Sequence, residues 1–214
     1  MSARRTAILI SGRGSNMRAL VEAAKASEFP ARIDLVLSNR ADAAGLDYAA
    51  AAGIRTEVLD HRQFRDRQTF DEALHRVLVG HGIELVCLAG FMRLLGGDFV
   101  SVWQDRMINI HPSLLPAFKG LHTHERVLEA GVRITGCTVH FVRPEMDAGP
   151  IIAQAAVPVV PGDTAETLAA RVLAAEHATY PKALALVASG RFSIDGDRVF
   201  TDLPVDPARS LFVP

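Results

Sequence analysis

Apolar residues in this chain fall into short continuous runs, separated by longer stretches in which they recur every three or four positions. The runs at 6–10, 33–38, 55–59 and 85–89 have strand length and are rich in Ile, Leu and Val. The last is apolar throughout, as expected of a strand covered on both faces. Between them, helical spacing covers 16–27, 43–52 and 65–79, and Gly53 and Gly80 stand where the second and third helices should close. Strand alternating with helix predicts an α/β fold, with a doubly wound, mostly parallel sheet and helices on both faces.

The pattern changes after Phe91. A short strand at 107–110 runs into a loop with prolines and histidines. Two further strands are predicted at 135–142 and 150–159, joined by the polar loop 143–149. A long helix follows from near Asp163, with Asp163 as its cap and Glu166 three residues on, and continues to Tyr180 or beyond, with a bend expected at Pro181. Short strands are expected from Ser193, and 204–214 reads as a loosely held tail. No repeat, low-complexity tract or linker divides the sequence, so one domain over 1–214 is expected.

At 214 residues the chain can bury a full core, and its composition is that of an ordinary globular protein. A formal net charge of −1 argues against a protein whose main task is to neutralise nucleic acid or an anionic membrane. Cys87 and Cys137 both lie in apolar strand-like runs and read as reduced core thiols. The basic N-terminus is followed by too short an apolar run for a signal peptide, and no later run approaches membrane-spanning length. A cytoplasmic protein is expected.

Candidate chemistry begins at the turn Ser11-Gly12-Arg13-Gly14-Ser15-Asn16, between the first strand and the first helix. Glycines there let the backbone approach a ligand, and a helix N-terminus offers free N–H groups to an anion. A strand-to-helix turn capped by Ser15 or Asn16 explains the same residues without a ligand. The dinucleotide pattern fails because Met17 occupies the place of its third glycine, and no Gly-Lys-Ser/Thr follows for a triphosphate. A monophosphate ester suits the turn better. Arg40, at the end of the second strand, leaves a 2′-phosphate dinucleotide as a rival ligand.

Asn109 and His111 alternate with Ile108 and Ile110, so the two polar side chains share one strand face. An amide beside an imidazolium suits a developing oxyanion, where such a donor is worth about 3 kcal/mol. Both residues would equally serve the turn that follows. Asp147, in the loop 143–149, would hold and charge a nearby histidine, although a turn aspartate before Ala-Gly needs no such role. His122 and His124 have no third ligand at fitting spacing, so no metal is expected. No Gly-x-Ser-x-Gly elbow is present, and neither cysteine has a reactive setting. Glu176 lies near the buried stripe of the last long helix, and periodicity alone favours a carboxylate snorkelling at its edge.

Seven segments together closely resemble the phosphoribosylglycinamide formyltransferases of the folate-dependent formyltransferase superfamily: ILISGRGSN, LAGFMRLL, INIHPSLLP, GLHTH, GCTVHF, DAGPI and EHATYP. They occur in the family's order over nearly the whole chain. The resemblance implies the formyltransferase fold with a Rossmann-like N-terminal half. It implies a phosphate- and nucleotide-binding half over 1–100, a catalytic and folate-binding half over 101–200 and a tail over 201–214. It also implies formyl transfer from 10-formyltetrahydrofolate, as cosubstrate, to the amine of glycinamide ribonucleotide in purine biosynthesis.

By the same resemblance, Asn109, His111 and Asp147 are catalytic. Gly14, Ser15, Asn16 and Glu176 bind the nucleotide, and Met92, Arg93, Leu94, Leu95, His140 and Asp147 bind the folate. The implied reaction is direct acyl transfer through a tetrahedral intermediate, without a metal, by a monomer or homodimer. A 10-formyltetrahydrofolate hydrolase is the nearest rival, expected to carry an N-terminal regulatory domain and to need no phosphate grip. A methionyl-tRNA formyltransferase is expected to carry a further C-terminal domain. Arg13 sits at a position of the turn where variation is expected.

Overall fold

The structure is a computed structural model and describes residues 3–202. The stretch 204–214, read above as a tail, lies outside the described residues. Among the described residues the chain forms β1 (Arg4–Ile10), α1 (Ser15–Ala23), β2 (Ala31–Ser38), α2 (Gly45–Ala51) and β3 (Arg55–Val58). These are followed by α3 (Arg67–Gly80), β4 (Leu85–Leu88), α4 (Gly97–Val102) and β5 (Met107–His111). The second half contains α5 (Thr123–Glu129), β6 (Ile134–Phe141), β7 (Ile151–Pro158), α6 (Ala165–Ser189), β8 (Phe192–Asp195) and β9 (Arg198–Thr201).

One sheet runs in the order β3-β2-β1-β4-β5-β6-β7-β9-β8. The first five strands in that order are parallel, while β6 is antiparallel to both β5 and β7. The order reverses direction between β1 and β4, which makes the crevice beyond their carboxyl ends the expected ligand position.

Both faces of the sheet are covered, as its strand composition requires. On β1, Ile8 and Ile10 join Met17, Leu20, Tyr180 and Leu184 on the face that carries α1, α2 and α6. Ala7 and Leu9 point the other way, to Phe70 and Leu74 of α3 and Phe99 and Trp103 in and beside α4. The period-two alternation of one strand thus serves two cores. A third cluster, with Val127, Cys137, Val157, Leu168 and Val172, joins α5 and α6 to the β6–β7 pair.

Several expected boundaries move. Helix α1 stops at Ala23 rather than at 27, and α4 was not legible as a helix, whereas the His122–His124 stretch, read as a loop and helix start rather than a metal site, does open α5. Gly53 takes the left-handed conformation expected of it, with φ 75°. Gly80 does not: it is the last residue of α3, and the left-handed residue is Gly82, with φ 62°. The cap of α6 is Thr164, not Asp163, and its reciprocal partner is Thr167 rather than Glu166. Asp163 is otherwise engaged, accepting from the Arg171 guanidinium at 2.7 Å and from the Val160 amide at 2.9 Å. Pro181 lies inside α6, which continues to Ser189. Cys87 and Cys137 are free and buried, and burial pushes their thiols up to about 12 and about 11. Among the described residues no helix is long and apolar enough to cross a membrane.

Candidate active site

The turn after β1 is held open as a cradle by its backbone. Gly14 caps α1 in the left-handed conformation, with φ 69°. That conformation favours glycine, and a Cβ there would also crowd the Met17 methyl at 2.8 Å. No side chain caps α1, so the reading of Ser15 or Asn16 as a cap does not hold. Asn16 instead donates through Nδ2 to Glu176 Oε2 at 2.7 Å, and its Oδ1 is buried without a protein partner. Glu176 is only 6% exposed and does not snorkel. Burial pushes its carboxyl up, and the Asn16 bond draws it partly back. Arg13 is exposed.

The turn is joined to the loop after β4. Ser11 Oγ donates to Asn39 Oδ1 at 2.5 Å and accepts from the Met92 amide at 2.8 Å. Met92 and Leu94 are 71% and 63% exposed, whereas Arg93 turns inward with its guanidinium 4.5 Å from the centre of the Phe70 ring. Leu95 packs on the core beneath. Arg40, the rival 2′-phosphate ligand, is bound to Asp42 through both Nε and Nη2.

The densest cluster stands where β5 meets β6. Asn109 pairs across the strands with His140, and its Nδ2 lies 3.2 Å from His140 Nε2. His140 Nδ1 lies 2.9 Å from the Phe141 carbonyl, so that nitrogen carries the hydrogen and Nε2 accepts from the amide. Burial holds the His140 ring below its ordinary value, which favours this neutral form. His111 Nδ1 faces Asp147 Oδ2 at 3.4 Å, and His111 Nε2 faces the Phe118 carbonyl at 2.9 Å. Asp147 Oδ1 is also 3.8 Å from His140 Nε2. One carboxylate therefore lies between two histidines that reach it from β5 and β6.

Asp147 reaches this place through a strained approach. Its φ is 52°, in the left-handed region that aspartate tolerates better than most residues. Its Oδ2 accepts from the Gly120 amide at 2.8 Å. A Cβ on Gly149 would fall 1.8 Å from the Phe141 carbonyl oxygen, so the returning loop needs glycine there.

The proline-bounded loop after β5 has its own polar frame, which the sequence reading missed. Ser113 Oγ donates to the Ala117 carbonyl at 2.7 Å, and Thr138 Oγ1 donates to the Ser113 carbonyl at 2.7 Å. Thr138 also accepts from the Leu115 amide, and Gln154 donates to the Leu115 carbonyl. These bonds set the Phe118 carbonyl against His111. Ser113 and Thr138 are fully buried, and the alternation of Thr138 with His140 along β6 was a sign of the second only.

The cluster and the cradle lie at the carboxyl ends of the parallel strands β5 and β1, with β4 between them. Residues 4–184 match the formyl transferase family. The chain belongs to the formyl transferase family.

Within it, the chain is 44% identical to the phosphoribosylglycinamide formyltransferase of Escherichia coli (strain K12), over 91% of this chain and 92% of that protein. It is 56% identical to the trifunctional purine biosynthetic protein adenosine-3 of Gallus gallus, over 89% of this chain. The match spans only 19% of that longer relative. The crystal structure of glycinamide ribonucleotide transformylase 1 from Symbiobacterium toebii superposes with a TM-score of 0.91 at 48% identity, over 93% of this chain and 94% of that one. The expected α/β formyltransferase fold is thereby established for this chain.

Proposed function

We propose that this formyl transferase moves a formyl group from 10-formyltetrahydrofolate to the amine of glycinamide ribonucleotide. The carrying observation is that Asn109, His111, His140 and Asp147 converge at the end of β5, beside a glycine cradle at the end of β1. The likeness to transformylases over nearly the whole chain supports the same donor and acceptor.

In this reading Gly14, Ser15 and Asn16 hold the acceptor's phosphate, and Glu176 takes its ribose or glycinamide part. Met92 and Leu94 offer apolar side chains to the folate, with the backbone of Arg93 and Leu95 shaping the wall between them. The amine attacks the formyl carbon, forming the new C–N bond as charge grows on the formyl oxygen. Collapse of the tetrahedral intermediate breaks the bond to the folate nitrogen. A proton passes from the attacking nitrogen to the departing one, through a water that Asp147 orients.

Asn109 has a second amide hydrogen left for the formyl oxygen after its bond to His140. His111 meets acceptors at both ring nitrogens, so it reaches the formyl oxygen by exchanging the Phe118 carbonyl for substrate while keeping Asp147. Preorganised donors of this kind act on the transition state more than on bound substrate. The absence of a serine elbow and the raised thiols of both cysteines fit transfer without an acyl-enzyme.

The test is loss of the formyl donor, followed optically with and without glycinamide ribonucleotide. Acceptor-dependent turnover that His111→Ala abolishes is expected. Equal donor loss without the acceptor would instead identify a hydrolase.

A further inference from the structure

A carboxylate outside the catalytic cluster is buried almost as deeply as Glu176. Asp71, in the first turns of α3, is 6% exposed. Burying such a group is unfavourable unless partners compensate, and burial indeed pushes the Asp71 carboxyl up. Its partners lie chiefly on one segment. Asp71 Oδ2 accepts from the Gly96 amide at 2.7 Å, and the Arg93 guanidinium acts on it as a nearby positive charge, with Arg67 of the same helix adding a smaller effect. Arg93 also stacks on Phe70, the residue before Asp71. Helix α3 therefore grips the loop after β4 at Arg93 and at Gly96.

We propose that Asp71 is a positioning residue for the folate, fixing the loop that presents Met92 and Leu94 to it. The proposal rests on the reading of that loop as the folate wall. Side chains alternate along the segment: Met92 and Leu94 stand out to solvent, while Arg93 and Leu95 turn in. Holding the inward positions sets the direction of the outward ones. The near end of the segment is tied to the phosphate turn by the Met92–Ser11 bond, and Asp71 ties the far end.

The tie borders open space. A solvent-open groove of about 550 Å³ lies between α3 and α4, lined by Arg67, Asp71, His75, Gly96, Phe99 and Val102. The helices meet through Phe70, Leu74, Phe99 and Trp103 below, and the groove opens beside the bond. Gly96 is fitted to the carboxylate, since a Cβ there would stand 2.8 Å from Asp71 Oδ2.

The test compares steady-state kinetics for both substrates in three variants. Asp71→Ala should raise the KM for 10-formyltetrahydrofolate about tenfold, leave that for glycinamide ribonucleotide within about twofold, and change kcat little. Asp71→Asn keeps an acceptor for the Gly96 amide but loses the charge facing Arg93, so it should give a smaller rise of the same selectivity. Gly96→Ala keeps the carboxylate but displaces it, and should repeat the donor-selective defect. If Asp71→Ala does not fold, the other two carry the test. Leu94→Ala serves as the reference for the folate wall. Donor KM raised by Leu94→Ala but unchanged in the Asp71 and Gly96 variants would overturn the strut alone, as would equal rises for both substrates. Donor KM unchanged in Leu94→Ala would overturn the folate wall, and the strut with it.

Discussion

Asn16 Nδ2 donates to Glu176 Oε2 over 2.7 Å, joining the first turn of α1 to the middle of α6 across 160 residues of sequence. The bond fixes the amide, and leaves Asn16 Oδ1 buried without a protein partner. Glu176→Ala should raise the KM for glycinamide ribonucleotide about tenfold, the cost of about one lost hydrogen bond to a charged group, with little change in kcat. Glu176→Gln retains an acceptor for Asn16 and should fall between. A change confined to the folate KM would contradict this assignment.

His111 and Asp147 should show the opposite kinetic signature. In the proposed mechanism, removing His111 takes away a donor to the developing charge once it exchanges the Phe118 carbonyl for substrate. Asp147→Asn takes away the charge facing the ring's other nitrogen. Each change should lower kcat by about 10²- to 10⁴-fold while the KM for the nucleotide moves by no more than a few-fold. Single-turnover rates would separate this from slow product release. Weakened nucleotide binding with unchanged turnover would remove both residues from the chemistry.

Gly149 controls Asp147 from two residues away. Gly149→Ala places a Cβ against the Phe141 carbonyl at 1.8 Å, so the loop must withdraw. We expect a loss of about 1–3 kcal/mol in stability together with a fall in turnover that exceeds it in consequence. Thermal melts and kcat on the same preparation decide the matter. A destabilised variant with full turnover would mean that Asp147 does not depend on this approach.

His140 predicts a dependence on pH. Burial lowers its pKa from the ordinary 6.5, so between that value and the folded one the unfolded chain binds more protons. Stability contributed by neutral His140 is therefore present above pH 6.5 and lost as pH falls toward the folded value. His124 and His177 are lowered by burial in the same sense, while the raised carboxyl of Glu176 acts in the opposite one. The His140 share is isolated by urea denaturation of the protein and of His140→Gln between pH 7.5 and 5.5. A shallower decline in the variant is expected, and parallel declines would show that His140 titrates like a free histidine.

Sequence and structure divide the site along physical lines. The alternation of apolar runs was sufficient for the parallel sheet, because period two and period 3.6 are local properties of the chain. Local too were the glycine cradle and the shared face of Asn109 and His111. Short α4 was not legible, since six residues carry too little periodicity to separate it from loop, and of the seven-residue α5 only the start was. The cap of α6 was misplaced by one residue because Asp163 had a better partner in Arg171, eight residues away. Motif likeness placed Asp147 with His111 and Glu176 with the nucleotide, whereas periodicity alone left the first open and favoured solvent for the second.

The sequence by itself therefore determined the strands, the longer helices and their order, and the residue types able to hold a phosphate and stabilise an oxyanion. Tertiary structure decided which of them meet. Asp147 comes to two histidines through a left-handed residue and a glycine return, and Glu176 comes to Asn16 only when α6 crosses beneath the sheet. Asp71 comes to Gly96 through the packing of α3 beside the loop after β4. Distances of this kind depend on how separate elements dock, and no local pattern encodes them.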